Sequence, residues 1–421
     1  MNPRWRRIGL RLAAAVVSAT LGAGLVAAPA RAEGETYSPK LCQPYRPVAQ
    51  VPDQVWQVQR LRLEEVHKVA TGKGITVGVI DTGVDVTDMK YFDAKRVKTR
   101  NYTGNNLLPE NSPYDCGHGT RVVSVLAGKE PSGVKTDFQG VAPDVKVISY
   151  RSLQRSERKE NEGPEPLAPT IAAVRAAIKD KVDVINISQA GTASPAYADA
   201  ISAALKAGIV VVAAAGNGGA KSGPSYPAAY PGVIAVGMTT DFDVADPASQ
   251  QDPQMQVTIG APGSGVWTLL PSNKDRIVYD QARGSSFAAP MVSGVVALIL
   301  QRFGHLSPEQ VRQRLITTAD PPPGAIPDPQ LGYGIVNPLK ALTAAVANQP
   351  SDSPSPTQGP PPPPPVDQRP KPDLTLRNIA IGIAIGSLTL VLAGIVLRWA
   401  LPRARDRRFQ PANPKDDLDP E

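Results

Sequence analysis

Three side chains of the kinds that acyl transfer needs stand in three short, glycine-flanked segments. Asp81 closes the apolar run Val79-Ile80-Asp81-Thr82-Gly83. His118 lies in Asp115-Cys116-Gly117-His118-Gly119-Thr120, and Ser286 in Gly284-Ser285-Ser286-Phe287-Ala288-Ala289-Pro290. A serine hydroxyl is a poor nucleophile at neutral pH unless an imidazole takes its proton. The imidazole in turn needs a buried carboxylate to fix its tautomer and stabilise its charged form. A fourth segment, Ala213-Ala214-Ala215-Gly216-Asn217-Gly218-Gly219, ends an apolar run in an amide. Such an amide can hydrogen-bond a developing oxyanion together with the backbone N–H of the serine. Singly, each has a duller reading. An Asp after a strand is a turn or capping residue, a His at a helix start is structural, and Gly-Ser-Ser is a flexible turn. The chemistry rests on having all four.

The elements that must bring them together can be read from the pattern. Residues 75–80, 145–148, 182–187, 209–215 and 232–236 are short β-branched runs. Between several of them lie helical stretches, 119–127, 170–181 and 196–207, and a further helix is expected over Met291–Phe303, opened by Pro290. Ile171, Val174 and Ile178 recur at i, i+3, i+7, which gives one buried face. Strands that are continuously apolar and alternate with helices predict an α/β domain whose mostly parallel sheet is covered on both sides. Sites in such sheets form at the carboxyl ends of the strands, where Asp81 and Asn217 fall. Residues 154–169 (QRSERKENEGPEPLAP) interrupt the pattern with charge and proline and are expected to form a surface loop.

The chain order Asp, His, Ser is one of the known convergent orders of such a triad. VIDTGV, GHGT, AAAGN and GSSFAAP, in that order between about Gly74 and Asn348, resemble the four blocks of the subtilisin-like serine proteases. The resemblance implies that family's three-layer fold and a serine endopeptidase acting on protein or peptide substrates without a cofactor. It implies Asp81, His118 and Ser286 as the triad and Asn217 as the oxyanion-hole side chain. The family's substrate-binding strand falls on Ser188, Gln189, Ala190 and Gly191, which lack the usual pair of glycines. Ser285 stands where a threonine is usual, Phe287 where a methionine is usual, and Arg121 where many members have another histidine. Of the two adjacent serines, Ser286 lies four before Pro290, as the motif requires.

The ends read as membrane traffic. Arg4, Arg6, Arg7 and Arg11 precede the apolar run Leu12–Ala28, which closes in Ala30-Arg31-Ala32. A positive start, an apolar run and a small-x-small site make a signal peptide over 1–32, with an uncleaved anchor as the alternative. Ile379–Leu397 is 19 residues without a charge, enough to cross a bilayer as a helix. Five arginines follow between Arg398 and Arg408, so the positive-inside rule leaves the tail in the cytoplasm and residues 33–378 outside. The expected order is a signal peptide (1–32), an N-terminal extension (33–68) and a protease domain (69–348). A Pro-rich linker (349–376), a transmembrane helix (377–400) and a cytoplasmic tail (401–421) complete it. The linker region is marked by 11 of the 44 prolines between Pro350 and Pro372. The extension is Pro- and Gln-rich, shows little apolar periodicity, and is expected to lie on the surface of the domain. This whole layout resembles the mycosins, membrane-anchored proteases of actinobacterial type VII secretion systems. That implies a role at the secretion complex, cleaving secreted substrates and stabilising the assembly. The alternative is a structural subunit of that complex with secondary proteolytic activity.

Placing the net charge of +7 excludes one class of partner. Residues 1–32 carry +5, residues 379–421 carry +1, and the large stretch between them is nearly neutral. Nucleic-acid binding, which concentrates cations on the folded domain, is not expected. Cys42 and Cys116 are the two cysteines. An even pair on the exported side suggests one disulfide, two buried thiols being the alternative. The bond would pin the extension beside His118. His67 and His305 have no partner motif, so surface or core roles are expected. Asp241, Asp243 and Asp246 are spaced like the start of a calcium loop that lacks the rest of an EF-hand, and no required metal is expected. Gly382 and Gly386 form a G-x-x-x-G inside the apolar span, a possible dimer face that common helix glycines also explain.

Overall fold

The computed structural model describes residues 52–85, 92, 95–103, 117–129, 135–153, 166–273, 276–304 and 306–347, with backbone alone at 221, 271–273 and 276–278. The segment expected to be a signal peptide, the first part of the extension, both cysteines, residues 154–165 of the expected surface loop, His305, the Pro-rich segment, the apolar span 379–397 and the residues after it lie outside these residues.

Seven strands form one parallel sheet: β1 (Thr76–Asp81), β2 (Val97–Asn101), β3 (Lys146–Arg151), β4 (Val184–Ile187), β5 (Val210–Ala214), β6 (Ile234–Thr239) and β7 (Ile259–Pro262). They lie in the order β2-β3-β1-β4-β5-β6-β7, so β1 sits inside the sheet between β3 and β4. Side chains of a strand alternate between faces, and here the alternation separates two cores. Val77, Val79, Val210, Val212, Ile234 and Val236 join one apolar cluster. Ile80, Ile185, Ile187, Val211, Ala213 and Ala235 join the other. The second face is covered by α4 (Leu167–Lys179) and α5 (Pro195–Lys206). The first is covered by α3 (His118–Ala127) and α6 (Ser285–Phe303), beside the antiparallel hairpin β8 (Ser264–Asn273) and β9 (Arg276–Arg283). The result is the three-layer α/β fold expected from the pattern.

The 19-residue helix α6 is long and apolar enough to span a bilayer, but it is the core helix: Ser285 to Leu300 are all buried, against β4 to β7. It begins six residues earlier than expected, so Pro290 lies inside it rather than opening it. The cost is local, since proline withholds a single N–H from the ladder near the start of a helix held by burial on all sides. Likewise α4 begins at Leu167, so Pro169 sits in its first turn and 167–169 are helix rather than loop.

The second half of the extension departs from its sequence-based reading. Residues 56–60 and 63–67 are short helices, α1 (Trp56–Arg60) and α2 (Leu63–His67), whose Val58, Leu61, Leu63 and Val66 are buried in the first core with Val55. The Gln57 amide donates to Trp267 O (2.8 Å) and accepts from Trp267 N (3.4 Å), adding itself to β8. Trp56 Nε1 donates to Gly265 O at 2.9 Å, and Val55 N donates to Asp137 Oδ1 at 2.6 Å. Two turns of helix are too short to display a period. Two further α-helices among the described residues, α7 (Pro308–Thr318) and α8 (Pro338–Thr343), pack on one another, with α8 also against α6 and α7 also against β5.

Candidate active site

Helices α3 and α6 pack side by side on one face of the sheet, and their N-termini converge at the carboxyl end of β1. Gly117, with φ 81°, turns the chain into α3 so that His118 is the first helical residue. Gly119 lets that helix meet the chain leaving β1. A Cβ there would stand 1.9 Å from Gly83 O. The approach is fastened by Gly119 N donating to Thr82 Oγ1 (2.9 Å) and by Asp85 N donating to Thr120 Oγ1 (2.8 Å).

Across this junction the three candidate residues form a continuous chain. Asp81, with 0% of its surface exposed, has Oδ1 at 2.8 Å from His118 Nδ1, and the same oxygen accepts from Thr82 N at 2.7 Å. His118 Nε2 lies 3.1 Å from Ser286 Oγ. An Nδ1–H donated to the carboxylate leaves Nε2 free to accept the serine proton. The imidazole also packs against the Phe287 ring (centroids 5.3 Å apart), and the Arg121 guanidinium covers that ring at 5.0 Å. Arg121 itself is tied to the hairpin through Thr268 Oγ1 (3.1 Å) and Asp280 (3.0 Å). Two residues that depart from the usual family pattern therefore form one stack behind the histidine.

The adjacent serines have separate partners. Ser285 is buried, its Oγ accepts from Gly216 N (3.0 Å) and donates to Asn217 Oδ1 (3.0 Å), and its N–H donates to the same oxygen (2.8 Å). The carbonyl end of the Asn217 amide is thus held by two donors, which fixes the opposite end as the free donor. Ser286, one residue on, has its Oγ at the histidine and its N–H in the first turn of α6, where no intrahelical acceptor exists.

A cleft of about 560 Å³ opens from these groups, lined by His118, Asn217 and Ser286 and by Ser188, Gln189, Ala190 and Gly191. The last four follow directly on β4. Asn186, buried in β4, anchors them: its Nδ2 donates to Ser188 Oγ (2.9 Å) while its Oδ1 accepts from Ser293 Oγ of α6 (2.9 Å). Gly191 exchanges backbone hydrogen bonds with Tyr226 (2.7 and 3.2 Å). Gln250, to which no sequence signal pointed, accepts from Gly218 N (3.1 Å) and donates to Gly223 O, bridging two points of the loop after β5.

The other candidates are otherwise engaged. His67 bonds Gln139 Oε1 (2.9 Å) and Val141 O (3.0 Å), a structural link far from the cleft in sequence and role. Asp243 pairs with Arg60, and Asp246 is bidentate with Arg283. That pairing with the Arg283 guanidinium lowers the Asp246 carboxyl to about 2.

Residues 72–334 match the subtilase family of peptidases. The chain is a subtilase. Subtilisin DY of Bacillus licheniformis is 35% identical over 252 residues, 59% of this subtilase and 84% of that protein. Mycosin-1 of Mycobacterium tuberculosis is 31% identical over 406 residues, covering 83% of this chain and 86% of its own. Among solved structures, the MycP3 protease from the type VII (ESX-3) secretion system superposes with a TM-score of 0.59 at 28% identity, covering 70% of this chain and 90% of that one. This subtilase is therefore a subtilisin-like serine endopeptidase related to the mycosins.

Proposed function

We propose that the chain cleaves peptide bonds through Asp81, His118 and Ser286, with Asn217 completing the oxyanion hole. The observation that carries this reading is the unbroken hydrogen-bonded series Asp81–His118–Ser286 at the wall of a cleft that also holds Asn217. An extended substrate lies along Ser188–Gly191. His118 Nε2 takes the Ser286 proton as Oγ attacks the scissile carbonyl. Asn217 Nδ2 and the Ser286 N–H receive the negative oxygen. His118 then gives its proton to the departing amine, and a water repeats the sequence in reverse roles to release the acid. The Asp81 carboxylate holds the imidazole through Nδ1 and stabilises the imidazolium.

The test is fluorophosphonate labelling and peptide hydrolysis by the purified ectodomain. Ser286→Ala abolishes both, removing on the order of 10⁶ in turnover, as in subtilisin. Asn217→Ala lowers turnover about 10² to 10³-fold, again the subtilisin magnitude. Undiminished labelling of Ser286→Ala overturns the assignment.

The protease works outside the cytoplasmic membrane, exported by residues 1–32 and anchored by residues 377–400, at a type VII secretion complex that it also helps to stabilise. Support comes from the charge pattern at the two ends and from the similarity to mycosin-1 over 83% of the chain. A Cys42–Cys116 disulfide tethers the extension beside the site. The burial of Val55, Leu61 and Leu63 favours an extension that stays with the enzyme as a structural part.

A further inference from the structure

The two hydrogen bonds that hold His118 do not both last through the proposed reaction. Its Nδ1 bonds Asp81 Oδ1 at 2.8 Å and its Nε2 faces Ser286 Oγ at 3.1 Å. Once Oγ carries the acyl group and the amine has left, that oxygen has no proton to offer. Nε2 then lacks its partner at the stage where it must take a proton from water. A single hydrogen bond fixes one point of the ring and leaves the imidazole free to pivot there. A second restraint is needed to keep its aim.

Phe287 is placed to supply it. This residue follows Ser286 directly and is buried, with its ring centroid 5.3 Å from that of His118 and the ring planes at 51°. The contact uses neither hydrogen bond, so acylation leaves it intact. The χ2 torsion of a phenylalanine is broad, so the phenyl ring needs a stop of its own. Arg121 stands three residues after His118 on α3, hence on the same side of that helix, and covers the ring at 5.0 Å. Its guanidinium is fixed in turn. Nε donates to Thr268 Oγ1 (3.1 Å), and a terminal nitrogen pairs with Asp280 Oδ2 (3.0 Å). Thr268 Oγ1 gives its own proton to Asp280 O (3.0 Å), which orients the hydroxyl as an acceptor for Arg121. A planar guanidinium can lay its face on a ring while its edge makes such bonds, and a lysine ammonium cannot.

We propose that Arg121 is a positioning residue for hydrolysis of the acyl-enzyme: through Phe287 it keeps His118 aimed at the incoming water. This rests on the catalytic reading of the preceding subsection. In that step the water oxygen bonds the acyl carbon while a water proton passes to His118 Nε2. Collapse of the adduct breaks the bond from the acyl carbon to Ser286 Oγ, which takes that proton back. Acylation depends on the restraint less, because the Ser286 hydroxyl then engages Nε2 directly.

The test separates the two half-reactions in the purified full-length protein with p-nitrophenyl acetate. The initial burst of nitrophenolate reports acylation, and the slow phase after it reports deacylation. Arg121→Met is expected to slow deacylation about three- to tenfold, the worth of one aromatic or cation–ring contact, while acylation and fluorophosphonate labelling change less than about twofold. Phe287→Leu gives the same selective loss, and the double variant loses no more than either single one. Arg121→Lys does not restore the rate. Because the burst amplitude counts folded sites, a partly unfolded variant is still read. Equal slowing of both steps, a change in KM alone, or additive losses in the double variant overturns the role of Arg121. A wild-type protein with neither burst nor labelling refutes instead the catalytic assignment beneath it.

Discussion

Ser285 and Ser286 carry the same hydroxyl one residue apart, and the first turn of α6 sends them to different tasks. Ser286 faces His118, while Ser285 turns inward to hold the Asn217 carbonyl. Ser285 is a positioning residue: it holds the amide that the proposed mechanism uses. Ser285→Ala leaves Asn217 with the backbone donor alone, and turnover is expected to fall about tenfold, the worth of one net hydrogen bond. Under the proposed mechanism the amide acts on the oxyanion, so kcat is expected to fall while KM holds, and Ser285→Thr is expected to restore the rate. Steady-state kinetics on one peptide substrate read both. An increase in KM at constant kcat would assign Ser285 to substrate binding instead.

The catalytic geometry depends on how α3 enters the sheet. Gly119 allows backbone to pack on backbone at Gly83, and no flexible side chain is available to yield. Gly119→Ala must push α3 away from β1, carrying His118 from Asp81. Overpacking of this kind typically costs about 1–3 kcal/mol, visible as a lower urea midpoint. The labelling rate at Ser286 is expected to drop well beyond what the unfolded fraction explains. Equal loss in both measurements would make Gly119 a packing residue only.

Over the whole domain, two long-range ties hold the frame around the site. One is the extension, whose α1 joins β8 and the 135–138 segment. Non-reducing against reducing mass spectrometry of the exported protein is expected to find Cys42 bonded to Cys116. Two free thiols after rapid alkylation would remove the covalent part of that tie. The other is Asp246 with Arg283, which secures the residue just before Gly284-Ser285-Ser286 to the chain after β6. The carboxyl is held near 2, below its ordinary 3.8. A depressed carboxyl contributes stability that is full above about pH 4 and is lost as pH falls through about 2. Melting temperatures of wild type and Asp246→Asn should therefore differ at pH 5 and converge near pH 2. A difference that persists unchanged at pH 2 would mean the charge is irrelevant.

The alternation of apolar runs with helical stretches was enough to read a parallel sheet with helices on both faces, since each strand buried on two sides must be apolar throughout. Edge strands escaped that reading. β2 buries only Val97 firmly, and β7 has four residues, so neither displays a period. The four glycine-flanked segments singled out Asp81, His118, Asn217 and Ser286 as candidates, because backbone near a reacting centre must turn sharply and approach closely. What the chain order could not contain is the convergence of residues up to 168 positions apart into hydrogen-bond range. That came from α3 and α6 packing together on one face of β1. The same holds for Ser285 as the anchor of Asn217 and for Gln250 as the staple. Each is an ordinary polar residue in sequence, and only burial beside particular partners gives it a role.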